Sequence, residues 1–146
     1  MIEAIITAVD INAFLQSTLG DNAWIPEALL FATWETIYMV FISTLVSYIL
    51  GVPLAIILVT TEKGHILENP KVNEILGTIV NAFRSIPFII LLILVIPLTR
   101  MIVGTSIGTV ASIVPLSIAA TPFVARLVET SLKEIDWGLI EAALSM

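Results

Sequence analysis

Hydrophobic residues fall in long runs separated by short polar breaks. No charged residue occurs over 36–61, 85–99 or 101–125. A helix that crosses a bilayer needs about 20 mainly apolar residues. The first and third runs meet that length unaided. The second does so only when extended backward through Ile75, Leu76, Ile79, Val80 and Phe83. The pattern therefore predicts three membrane helices, at about 29–59, 75–98 and 106–126, with the second bent at Pro87. Lipid offers no partner to backbone N–H and C=O groups, so such spans are helical. The predicted class is all-α, a polytopic membrane helix bundle.

Composition narrows this further. Of the 146 residues, 58% are hydrophobic and 12% charged, where a soluble domain carries about 25% charge. Mean hydropathy is +1.08. One soluble core of this size does not hide so many apolar side chains, and disorder is excluded by the same abundance. The net charge of −6 and the absence of a basic patch argue against nucleic acid as a partner. There is no cysteine, hence no disulfide framework and no thiolate metal site; no His/Asp/Glu cluster suggests a metal either.

The few bases give an orientation. Residues 1–35 hold Glu3, Asp10, Asp21, Glu27 and Glu35 but no Lys or Arg. Lys63 and Lys71 lie in the 60–74 loop, Arg126 and Lys133 follow the third run, and Arg100 alone falls on the other side. The positive-inside rule then puts the N-terminus outside, the 60–74 loop and the C-terminal tail inside, and the 100–105 turn outside. Residues 1–28 form an external segment. Glu3 and Asp10 interrupt its apolar stretch and no basic region leads it, unlike a signal peptide. Ile2, Ile5, Ile6 and Val9 share a helical face; an interfacial helix and a partly ordered tail fit equally.

Several residues suggest chemistry. Arg84 stands where the second span would begin, three residues before Pro87. It is either a gate residue on a pathway or an anchor whose guanidinium reaches the inner headgroups. Gly51 and Pro53, and Pro115 and Pro122, mark bends or close packing in the first and third spans. Gly104-Thr105-Ser106-Ile107-Gly108 fits a nucleophile elbow, but the single histidine, His65, falls across the membrane from it. The same residues fit a Gly-x-x-x-Gly packing face that Ser112 prolongs, and that reading is the stronger. No Gly-x-x-x-x-Gly-Lys phosphate loop occurs, so ATP chemistry would belong to another chain.

The tail is amphipathic. Val124, Leu127, Val128, Leu132 and Ile135 recur at helical spacing, and Glu129 and Lys133 make an i,i+4 pair. The third helix thus projects beyond the bilayer. Asp136 offers an N-cap to a short helix over 136–146. Such a helix lies in a partner's groove or on the membrane surface.

Gly138-Leu139-Ile140-Glu141-Ala142-Ala143-Leu144-Ser145-Met146 resembles the start of the Glu-Ala-Ala cytoplasmic loop of ABC importer permeases. The run 81–92, beginning Asn81-Ala82-Phe83-Arg84-Ser85-Ile86-Pro87, is similar to that of methionine-importer permeases in particular. So are Ile102-Val103-Gly104-Thr105-Ser106-Ile107-Gly108, Ile113-Val114-Pro115-Leu116 and Pro122–Glu129, while Gly51-Val52-Pro53-Leu54-Ala55 is a commoner permease signature. The resemblance covers about 34–146. It implies a five-span bundle with the N-terminus outside, of which three spans are present, so that the chain is a C-terminally truncated piece with a partial transporter domain over 29–146. It also implies a multi-pass permease subunit of the cytoplasmic membrane, with no ATPase site or cofactor of its own. Methionine is the expected substrate, moved by alternating access. ATP and magnesium sit on partner ATPases, a second permease copy completes a homodimer, and an external binding protein delivers substrate. Leu139, Ile140, Glu141, Ala142 and Ala143 become the coupling-helix residues that dock on the ATPase. The competing expectation is a non-transport anchoring or assembly subunit that binds another helix through the Gly104/Gly108 face.

Overall fold

A computed structural model describes Ala13, Ser17, Thr18, Gly20 and residues 24–146. The reading of 1–28 as an interfacial helix lies largely outside these residues. Among the described residues every regular element beyond single turns is an α-helix: α1 Ile25–Thr60, α2 Pro70–Ser85, α3 Phe88–Val103, α4 Thr109–Lys133 and α5 Trp137–Ser145. The chain divides into two compact units, Met1–Tyr38 and Met39–Met146. In the first, Trp24 just before α1 and Leu30, Phe31 and Trp34 in its first turns are exposed. The rest of the fold concerns the second.

Each helix boundary has a local cause. Asn69 caps α2 by accepting a hydrogen bond from the Val72 N–H (3.3 Å), and Pro70 supplies a first-turn residue with no N–H to satisfy. The α2 helix stops at Ser85 because the ring of Pro87 disfavours helical backbone at the residue before it; Ile86 is accordingly extended (φ −78°, ψ 124°). Gly104, at φ +83°, ends α3 while its N–H bonds Arg100 O at 2.9 Å. Gly108, at φ +110°, precedes α4.

The expected single helix over 75–98 is corrected here. It is two helices, with axes turned 110° at the 86–87 break. The α1 and α4 helices are each long and apolar enough to cross a membrane; α2 and α3 reach that length only as a pair. The α4 helix also starts at Thr109 rather than near 106, since the positive φ at Gly108 keeps the preceding backbone out of the helix.

A row of small residues organises the bundle. Ser43, Ser47, Gly51 and Ala55, spaced by four on α1, are all buried. Small side chains let helices approach closely where no water drives association. Ser47 Oγ lies 2.7 Å from its own turn's Ser43 O and 3.1 Å from Ser117 O on α4. Ser117 Oγ in turn reaches Ile113 O (2.8 Å) and, weakly, Ser43 O (3.4 Å). Gly51 meets α4 most closely: a Cβ there would stand 2.9 Å from Val124 Cγ1 and 3.0 Å from Thr121 O. Leu91, Val95 and Thr99 are the buried residues of α3, which packs on α4. Outward positions such as Ile49, Leu50, Ile93, Leu94 and Phe123 stay exposed, as expected of a surface that meets lipid.

Candidate coupling site

The charged residues at the C-terminal end of α4 form a connected brace. Glu129, only 5% exposed, takes Arg126 Nη1 at 2.7 Å and Lys133 Nζ at 3.0 Å. Lys133 also reaches Glu62, in the loop after α1, at 2.8 Å. Arg126 Nη2 donates to Gly77 O on α2 at 3.2 Å. A side chain at position 77 would crowd that guanidinium, since a Cβ would lie 3.3 Å from Nη2. Arg126 Nε is buried without a hydrogen-bond partner. One further bond closes the ring: Asn73 Nδ2 donates to Leu58 O at 2.6 Å. That carbonyl sits in the last turn of α1, where orphan acceptors need outside donors. Through these contacts α4 holds the end of α1 and the middle of α2 in one arrangement.

The short helix α5 follows after a tight turn at Glu134 and Ile135. Asp136 accepts from Gly138 N–H at 2.9 Å and caps it. Leu139 is 67% exposed; Glu141, Ala142 and Ala143 are exposed and Ile140 is half-buried. An apolar and small-residue face next to one carboxylate thus stands beside the brace with most of its surface uncovered. The turn joins α5 to α4, and Glu129, Lys133 and Arg126 join α4 to the loop after α1 and to α2.

The other candidate residues behave differently. Among the described residues Gly104 and Gly108 bring no two helices of this chain together: both lie outside α3 and α4, and nothing comes within 4 Å of a Cβ built at either. Both have positive φ, which favours glycine. Ser112 is half-buried and its hydroxyl bonds Gly108 O at 3.0 Å in its own turn. The close-packing face is instead the Ser43, Ser47, Gly51, Ala55 row, legible in the sequence as four small residues at helical spacing. Ser106 accepts a bond from Arg100 Nε at 3.0 Å. His65 sits in the loop bridged to Lys133 through Glu62, the far end of the 25-residue α4, which is about 37 Å long at 1.5 Å per residue. No hydrolytic pair forms. Arg84 is exposed in the last turn of α2, and Pro87 is the pivot of the break.

Arg126 entered the sequence reading only as an orientation charge and within the 122–129 run; Glu62, Asn73 and Gly77 were not singled out. The i,i+3 spacing of Arg126 and Glu129 was a usable signal; the roles of Glu62 and Gly77 had none, because both act across the fold.

Among known proteins the chain is 55% identical over 120 residues, 82% of its length, to the probable D-methionine transport system permease MetI of Vibrio cholerae, covering 53% of that protein. It is 52% identical to MetI of Escherichia coli K12 over 113 residues, 77% of this chain and 52% of the relative. A solved structure of the MetNI methionine ABC transporter in inward-facing conformations overlays with a TM-score of 0.78 at 50% identity, over 83% of this chain and 57% of the other. A second crystal form of it gives 0.79 at 51% identity, over 81% and 55%. No protein-family model matches the chain. Over the aligned residues the chain is a homologue of the MetI permeases, and it spans about half the length of the curated relatives it matches.

Proposed function

We propose that the chain acts as the membrane subunit of an ABC importer for methionine, with energy supplied by separate ATPase subunits. The observation that carries the reading is 55% identity sustained over 120 residues. The arrangement of α5 and the brace supports it. In this scheme ATP and magnesium are held by the partner, this chain performs no hydrolysis, a second permease copy completes the pathway, and an external binding protein presents the substrate. The α5 residues Leu139, Ile140, Glu141, Ala142 and Ala143 seat against the ATPase. Closure of the ATPases on ATP moves α5, and the brace hands that motion to the ends of α1 and α2. ATP biases the bundle only as far as the ATPases bind one conformation better than the other.

Orientation follows from charge. Lys63, Lys71, Arg84, Arg126 and Lys133 belong to the α5 end, leaving Arg100 at the other. The positive-inside rule puts α5 in the cytoplasm, the 104–108 turn outside and the start of α1 outside. Glu141→Lys in the full-length permease should abolish co-purification of the ATPase and uptake of labelled methionine into vesicles. Undiminished association with normal uptake would overturn the coupling role.

A further inference from the structure

Two neighbouring hollows at the 86–87 break are unassigned by the transport reading. One, about 230 Å³, is bordered by Arg84, Phe123, Arg126 and Thr130. The other, about 310 Å³, is bordered by Arg84 and Phe123 again, together with Phe88, Leu91 and Ala119. Arg84 and Phe123 border both, so the hollows adjoin across these two side chains. They are graded in polarity along α4. Arg126 and Thr130 mark the end near the brace; Ala119 lies towards the helix middle, opposite Phe88 and Leu91 of the apolar α3.

The placement of α2 decides what reaches this surface. With α3 along the membrane normal, a 110° turn leaves α2 about 20° from the membrane plane. Arg84, in the last turn of α2, borders the same hollow as Arg126 and Thr130, towards the brace end of α4. Arg84 belongs to the face of α2 that carries Asn73, Gly77 and Val80, which is turned to the bundle, while Ile75 and Ile79 remain 60% and 48% exposed. An amphipathic helix of this kind rests at the headgroup boundary. Arg84 has no ion pair among the described residues, whereas the brace balances its own two cations with two carboxylates.

We propose that the paired hollows bind one anionic phospholipid of the leaflet on the α5 side. Its phosphate lies between Arg84 and Arg126, and an acyl chain runs past Phe123 towards Ala119 and Leu91. A guanidinium matches a phosphate in shape and charge, and the apolar half matches a tail that a soluble phosphate lacks. The unpaired charge of Arg84 favours an anionic headgroup over a zwitterionic one. The proposal needs only membrane insertion, so it stands or falls apart from transport.

Native mass spectrometry of the full-length protein in detergent tests it, with phosphatidylglycerol and phosphatidylcholine of equal acyl chains as probes. Phosphatidylglycerol should be retained about five-fold more strongly. Arg84→Gln should remove that preference and Arg84→Lys should keep most of it. Ala119→Phe, which fills the apolar half and leaves both arginines in place, should weaken retention of either lipid. Competition by sn-glycerol 3-phosphate should be negligible. Equal retention of the two lipids, an unchanged preference in Arg84→Gln, or full competition by glycerol phosphate would each overturn the proposal. So would cysteine cross-linking that places Arg84 of two copies against each other with lipid excluded.

Discussion

Gly51 and Glu129 show how single side chains set tolerance here. At Gly51 one of the two closest contacts to an added Cβ is a backbone carbonyl, Thr121 O at 3.0 Å, which cannot rotate away. Gly51→Ala should therefore force α1 from α4 and cost about 1–3 kcal/mol, seen as a lower midpoint of thermal unfolding in detergent; an unchanged midpoint would mean the helices are not this close. Glu129→Ala removes the anion shared by Arg126 and Lys133. With Glu129 5% exposed, the loss should be about 3 kcal/mol, because a partly buried guanidinium is left uncompensated. Glu62→Ala breaks a pair whose side chains are each 39% exposed, and should cost no more than about 1 kcal/mol. Equal losses in the two variants would contradict the brace as described. The Glu129–Lys133 spacing was legible in the sequence as an ordinary helix pair. Its burial was not, because burial depends on α2 and the 61–69 loop arriving alongside.

The α2–α3 break has two causes of different kinds. Pro87 ends α2 locally. The 110° direction comes from contacts far along the chain: Asn73 to Leu58 O, Gly77 O to Arg126, and Val80, 2% exposed, against the bundle. Pro87→Ala should for that reason leave the bend largely intact. Backbone positions Lys71 and Ile102, read by spin labels, should stay about 26 Å apart, whereas one straight helix would place them about 47 Å apart at 1.5 Å per residue. A distance near the longer value would assign the bend to proline alone. Hydropathy located α1 and α4 well, because each is a long apolar run with no competing feature. It merged α2 with α3 because periodicity reports where apolar residues fall and not the direction of the helix axis.

Taken together, the helices make a bundle in which five of the six Lys and Arg residues belong to the α5 end and Arg100 to the other. Vesicle-reconstituted full-length protein carrying Thr105→Cys or Ser145→Cys should be labelled by a membrane-impermeant thiol reagent from opposite faces. Labelling of both from one face would defeat the topology and with it the coupling scheme. The α5 end carries the charged contacts of the brace, while Ser47 and Ser117, nearer the other end, make a close contact of small buried residues. In the proposed scheme, motion imposed at α5 enters a bundle braced by charge at its α5 end and by small-residue packing nearer its other end.

What the residues alone dictated is the class of the molecule and the ends of its elements. Fifty-eight per cent hydrophobic content leaves lipid as the only adequate solvent, and glycines, prolines and caps act on their nearest neighbours in the chain. Which small residues meet, which carboxylate is buried, and which way α2 turns rest on partners 12 to 74 positions away in sequence. Such pairings are decided by the summed packing of whole helices, so only the folded bundle reveals that Gly51 rather than Gly104 marks the closest approach.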